Sequence, residues 1–148
     1  MATTFRNDLT LAIVGSIDAF IAANPTLLRR SERGRPPSVM GDLPLAFVDG
    51  RDERIHFDAQ TMDRVMTISV VVVSQLADNV ETLVRHDVIT DALIDHFNAG
   101  YIHFVPNSSW TDLVISDEDY PVDSADGTTA HFFATRLTFT VSLMEGRA

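Results

Sequence analysis

Residues 133–143 read Phe133-Ala134-Thr135-Arg136-Leu137-Thr138-Phe139-Thr140-Val141-Ser142-Leu143. The odd positions put Phe133, Thr135, Leu137, Phe139, Val141 and Leu143 on one side. The even positions put Ala134, Arg136, Thr138, Thr140 and Ser142 on the other. Successive side chains on a pleated strand point to opposite faces, so this alternation predicts a strand with one buried and one semi-polar face. It should run from Thr129 to Met144, after a turn at Ser124-Ala125-Asp126-Gly127. A second stretch, Thr61 to Ser74, has the same character: Met66, Ile68, Val70 and Val72 alternate with Thr67, Ser69, Val71 and Val73. Two such strands imply a largely antiparallel sheet with one face packed and the other semi-polar.

Working outward, Phe5, Leu9, Ala12, Ile13, Ser16, Ile17 and Phe20 recur at three- and four-residue spacing, which predicts a helix with one apolar stripe. Thr3 or Thr4 can supply its N-cap, and Asn24-Pro25 stops it. A second helix is expected from about Asn79 to Asn98, capped by Asp78 and ended by Gly100. Its apolar residues, Val80, Leu83, Val84, Val88, Ile89, Leu93, Ile94 and Phe97, spread beyond one stripe, as if two sides were to be covered. Leu43–Val48 and Arg51–Phe57 flank Asp49-Gly50, a two-residue hairpin signal. Asp112–Ser116 and Tyr120–Val122 read as short strands separated by Asp117-Glu118-Asp119. Residues 29–42 hold four Arg, two Gly and two Pro without any period, and read as a mobile loop or an extended arm. Strand runs broken by single helices predict an α+β fold: a largely antiparallel sheet, two helices on one face, plus the arm. At 148 residues one domain, 1–148, is expected.

Composition removes several kinds of function. There is no Cys, which excludes disulfides, thiolate nucleophiles and Cys-ligated metals. There is no Lys either, since all 11 basic residues are Arg, which excludes a P-loop lysine and Schiff-base chemistry. The formal charge of −10 works against gripping phosphates, so specific DNA binding is not expected. No apolar run is long enough for a membrane span and no secretory leader pattern opens the chain, so a soluble protein made in a cytoplasm is expected.

Three constellations could carry function. The five His show no metal or catalytic spacing; His86 and His96 lie ten apart on the second helix and His103 follows. No catalytic residue, cofactor or metal site is expected. Asp87, Asp91 and Asp95 stack at four-residue intervals, and like charges so placed cost a few tenths of a kcal/mol per pair, roughly. They form a solvated face, an Arg-binding interface or, as the least favoured reading, a metal site. The Arg-rich segment (Arg29, Arg30, Arg33, Arg35) offers a counterpart, and Asp117, Glu118 and Asp119 offer a second acidic patch. The semi-polar sheet face, Thr67 and Ser69 with Arg136, Thr138 and Thr140, is either simply solvated or a hydrophilic wall lining a lumen.

Several segments in order resemble the tail terminator (tail completion) family of long-tailed bacteriophages. They are the helix Phe5–Phe20 with its Asn24-Pro25 stop, the Arg/Gly/Pro arm leading into Gly41-Asp42-Leu43-Pro44-Leu45-Ala46-Phe47-Val48, and the strand Met66–Ser74. The helix segment Val84–Leu93 and the closing strand His131–Leu143 before Gly146-Arg147 complete the pattern, which covers nearly the whole chain. The resemblance implies a structural virion protein forming a homohexameric ring. Such a ring binds the last tail-tube subunits, stops their polymerisation and offers a docking surface to a head-completion, stopper or connector protein, while genome DNA passes through without specific binding. It implies assembly in the bacterial host cytoplasm. The alternatives are a head-closure or neck-connector ring, and a small α+β enzyme or ligand-binding module using Asp87, Asp91 or His96.

Overall fold

The computed structural model describes residues 5–27, 30–33, 44–76, 80–99, 108–123 and 126–146. In chain order they form α1 (Phe5–Ala23), β1 (Arg30–Arg33), β2 (Leu45–Phe57), β3 (Thr61–Leu76), α2 (Val80–Ala99), β4 (Ser108–Asp123) and β5 (Thr129–Gly146). The strands make one sheet in the order β1-β2-β3-β5-β4. Pairing is antiparallel except at β1, which runs parallel to β2 with Arg30 opposite Leu45 and Arg33 opposite Val48. This is the α+β arrangement that the alternation predicts.

The two faces follow from register. Ile68 lies opposite Phe139, Val70 opposite Leu137 and Met66 opposite Val141, so the apolar positions of β3 and β5 share one face. On it α1 lays a stripe of Phe5, Leu9, Ile13, Ile17 and Phe20, all buried, and α2 lays Ile89, Leu93 and Phe97. Each such side chain contributes on the order of 1.5–3 kcal/mol by leaving water. Helix α1 lies over β1 and β2, and α2 over β3 and β5. Phe97 meets Phe139 edge-on at 5.0 Å, and Trp110 of β4 closes the far side of the same ring at 5.2 Å. Asn24 ends α1 by donating from its backbone N–H (2.8 Å) and its Nδ2 (3.1 Å) to the Phe20 carbonyl. The N-caps expected at Thr3 or Thr4 and at Asp78, and the stop at Gly100, lie outside the described residues.

Three expectations are corrected. Asp49-Gly50 does not reverse the chain, because β2 runs through it. Val48 pairs with Val70 and Arg51 with Ile68, so two residues oppose one in a β-bulge, with Gly50 at φ +98°. A positive-φ glycine suits a tight hairpin and a bulge equally, and the long pairing with β3 decides between them. The hairpin instead forms at residues 58–60, where the Asp58 N–H donates to the Thr61 carbonyl at 2.9 Å. Secondly, Arg30–Arg33, within the supposed arm, is the strand β1. Four residues are too few to display a period, and the rest of the segment lies outside the described residues. Thirdly, β4 is a single strand through Asp117-Glu118-Asp119. As the last strand of the sheet it is wet enough to hold carboxylates. Two further bulges occur, one on β3 between Val73 and Leu76 and one on β4 between Trp110 and Asp112, whereas β5 has none.

Candidate functional site

The face of the sheet opposite α1 and α2 collects the semi-polar positions as expected. Thr67 faces Thr140 and Ser69 faces Thr138, whose hydroxyls are 3.1 Å apart. All four are half-buried. Beside them Arg136, on β5 opposite Val71, reaches to both sides. Its Nη2 donates to Asp49 Oδ2 at 2.8 Å, its Nη1 to the Asp49 carbonyl at 3.1 Å, and its Nε to Glu118 of β4. Asp49 lies in the bulge, next to Gly50. The hydrogen bond it donates to Glu118 outweighs the opposing effect of partial burial and, with that donated to Asp49, holds the guanidinium even more firmly in its charged form. One Arg thus ties β2 to β4 across the two central strands. The apolar cluster Leu45, Phe47, Val71, Val73, Phe132 and Ala134 occupies the same face, and its burial owes nothing to α1 or α2.

The acidic residues divide. Asp87, Asp91 and Asp95 are exposed on the outer side of α2, alongside Leu83, Val84 and Val88, which are 41%, 55% and 52% exposed. On β4 each acid of the triplet already has a partner within the chain. Asp117 accepts from Thr135 at 2.8 Å, Glu118 holds Arg136, and Asp119 pairs with His131 Nδ1 at 2.7 Å. Arg30 and Arg33 are placed in β1, while Arg29 and Arg35 lie outside the described residues, as does His103.

Two buried polar assemblies escaped the sequence reading. Arg64, 8% exposed, pairs with Glu53 through Nε (2.7 Å) and Nη2 (3.2 Å), and its guanidinium sits 5.1 Å above the Phe5 ring. The other joins α2 to the sheet. His86, 2% exposed, has Nδ1 2.6 Å from Ser74 Oγ and Nε2 2.7 Å from Thr135 Oγ1. Thr135 spends its single hydroxyl proton on Asp117, so it accepts from His86, which places the imidazole proton on Nε2. Bare Nδ1 then accepts from Ser74. The chain Ser74 to His86 to Thr135 to Asp117 therefore runs in one direction. Burial pushes the His86 pKa down, while Asp87 and Asp117 pull it up. Ser74 and Thr135 are each 1% exposed, so no substrate can reach the hydroxyls. No signal at His86 distinguishes it in sequence from a surface histidine. His96 donates from Nε2 to the Ser16 carbonyl at 2.9 Å and joins the two helices.

Among the described residues no group of three His, Asp or Glu is placed to hold a metal ion, and no helix is long and apolar enough to cross a membrane. The chain matches no protein-family model and no curated protein sequence. Its fold is similar to that of a chain in the virion of a native gene transfer agent particle. The TM-score is 0.62, with 14% sequence identity over 97% of this chain and 100% of the other.

Proposed function

We propose that this chain is a structural component of a phage-like virion, located in the tail or neck, and within it the tail terminator. Copies form a ring, six-fold by the family resemblance, on the head-proximal end of the tail tube. The ring stops tube growth and presents a joining surface to a head-completion, stopper or connector protein. The observation that carries the reading is the end-to-end likeness in fold to a virion chain, with neither chain leaving an extra domain unmatched. The order of elements that motivates the terminator resemblance supports it further. Genome DNA passes through without specific binding, as a net −10 per subunit favours. Assembly takes place in the bacterial host cytoplasm, with no enzymatic step, cofactor or metal. The subunit contacts draw on Arg29, Arg30, Arg33 and Arg35 on one side and on Asp87, Asp91, Asp95 and Asp117–Asp119 on the other. Thr67, Ser69, Arg136, Thr138 and Thr140 form a hydrophilic wall.

A head-closure or neck-connector ring is the second reading, and only the partner separates the two. An enzyme or ligand-binding module would have to work with Asp87 and Asp91 exposed on the outer surface of α2 and with His96 engaged with Ser16. Co-expression with the tail-tube protein, followed by electron microscopy of tube ends, tests the proposal. Capped tubes of uniform length are expected. Binding to isolated portal complexes but not to tube ends would move the assignment to the neck.

A further inference from the structure

The two sides of the sheet differ in what they expose. Eight large apolar side chains are exposed among the described residues, and of these Val114 alone lies on the face opposite the helices. The other seven, Val84 and Val88 among them, belong to α1, to α2 or to the helix side of β2 and β4. Exposed apolar side chains in number suit contact with protein, not with a hydrated polyanion. The opposite face instead presents the hydroxyls of Thr67, Ser69, Thr138 and Thr140, with Ser116 exposed beside them. On this face β2–β5 place five carboxylates, Asp49, Asp52, Asp63, Asp112 and Glu118, against two Arg. Neither Arg stands apart from an acid. Arg136 spends Nε on Glu118, Nη2 on Asp49 Oδ2 at 2.8 Å and Nη1 on the Asp49 carbonyl at 3.1 Å. Arg54 lies opposite Val65, with Asp52 two residues before it on the same face and Asp63 on the diagonal across β3.

We infer that this sheet face lines the DNA passage, and that Asp49 and Glu118 hold the Arg136 guanidinium off the phosphates as the duplex slides by. An unengaged guanidinium would take a phosphate through two parallel N–H bonds. Repeated around a six-fold ring, one such contact per subunit becomes a grip of six. A grip of that size is strong at low salt and loses roughly a thousandfold in affinity between about 50 and 200 mM. A conduit for DNA has to avoid it, and an Arg already bonded to two carboxylates does. The inference rests on the ring proposed above and specifies which surface faces the lumen.

The test compares tail tubes capped by the wild type and by three variants of the full chain. Asp49→Asn with Glu118→Gln keeps the shape of the clamp and removes both anionic acceptors. Val114→Arg adds an unclamped guanidinium to the same face at an exposed position, so it decides the lining even where the double variant does not fold. Val84→Arg adds one to the outer side of α2 as the control. Capped tubes are incubated with a short linear duplex, and retained DNA is measured against salt. The wild type and Val84→Arg should retain none. The double variant and Val114→Arg should retain the duplex at about 50 mM salt and release it by about 200 mM, a change of roughly a thousandfold in affinity. Retention by Val84→Arg in place of Val114→Arg would put the helices toward the DNA and overturn the assignment. A double variant that folds, caps tubes and retains no DNA would overturn the role of the clamp. Either result leaves the terminator reading intact, whereas wild-type protein that never engages tube ends would remove that reading itself.

Discussion

Replacing Thr135 by Val keeps the branched shape and removes one oxygen. That oxygen accepts from His86 at 2.7 Å and donates to Asp117 at 2.8 Å. Asp117 is exposed, so water replaces its lost donor at little cost. His86 is 2% exposed, so its Nε2–H is left without an acceptor where water does not reach. An unsatisfied buried donor costs about 1–3 kcal/mol. At about 2–4 °C per kcal/mol for a domain near this size, the melting temperature should fall by roughly 2–12 °C. Thr135→Ser retains the hydroxyl and should recover most of that loss. Thermal or urea unfolding at pH 8, where His86 is neutral in both folded and unfolded chains, isolates the hydrogen bond from titration. Nitrogen chemical shifts of His86 should show Nε2 protonated in the wild type. A Thr135→Val loss under about 0.5 kcal/mol, or Ser costing as much as Val, would refute the directional chain and its tautomer.

Other perturbations follow from the same structure. The His86 pKa lies below its ordinary value of 6.5, so the unfolded chain binds the extra proton first and stability falls as pH drops below that value toward the lowered folded pKa. Unfolding at a series of pH values should show this slope in the wild type and its flattening in His86→Gln. Phe139→Ala removes a fully buried ring wedged between Phe97 and Trp110, and should cost about 3–5 kcal/mol by denaturant unfolding. At Gly50 a Cβ would meet nothing within 4 Å, so Gly50→Val should be destabilised through the positive φ alone, by roughly 1–2 kcal/mol, and Gly50→Asn by less. Glu53→Gln weakens the partner of a nearly buried Arg64 and should lower the melting temperature more than Asp52→Asn on the exposed side of the same strand.

Long, regular elements were legible because their period is imposed by burial. The stripe of α1, the alternation of β3 and β5 and the division of the sheet into two faces all follow from residues that must leave water. What escaped is governed by partners distant in sequence. Asp49-Gly50 carries the local chemistry of a turn, and only the stretch of β3 from Met62 to Val73 running alongside converts it to a bulge. The acids of β4 argue against a strand until its place at the sheet edge is known. Arg136 was legible as a face residue, but not its bridge to Asp49, 87 positions away in the chain. The Ser74–His86–Thr135–Asp117 chain unites residues from four elements and leaves no local pattern. The outer side of α2 was anticipated in part: its surplus apolar residues Val84 and Val88 are exposed in the single chain.

The bulges are not shared evenly among the strands. Measured against its inner neighbour, β3 carries one residue more than β5, β2 one more than β3, and β4 one more than β5. Each extra residue bends its own strand and tightens the local twist. The distortion therefore falls on β2, β3 and β4, and β5, which carries Arg136, Thr138 and Thr140, has no insertion of its own and is the regular member against which the other three are set.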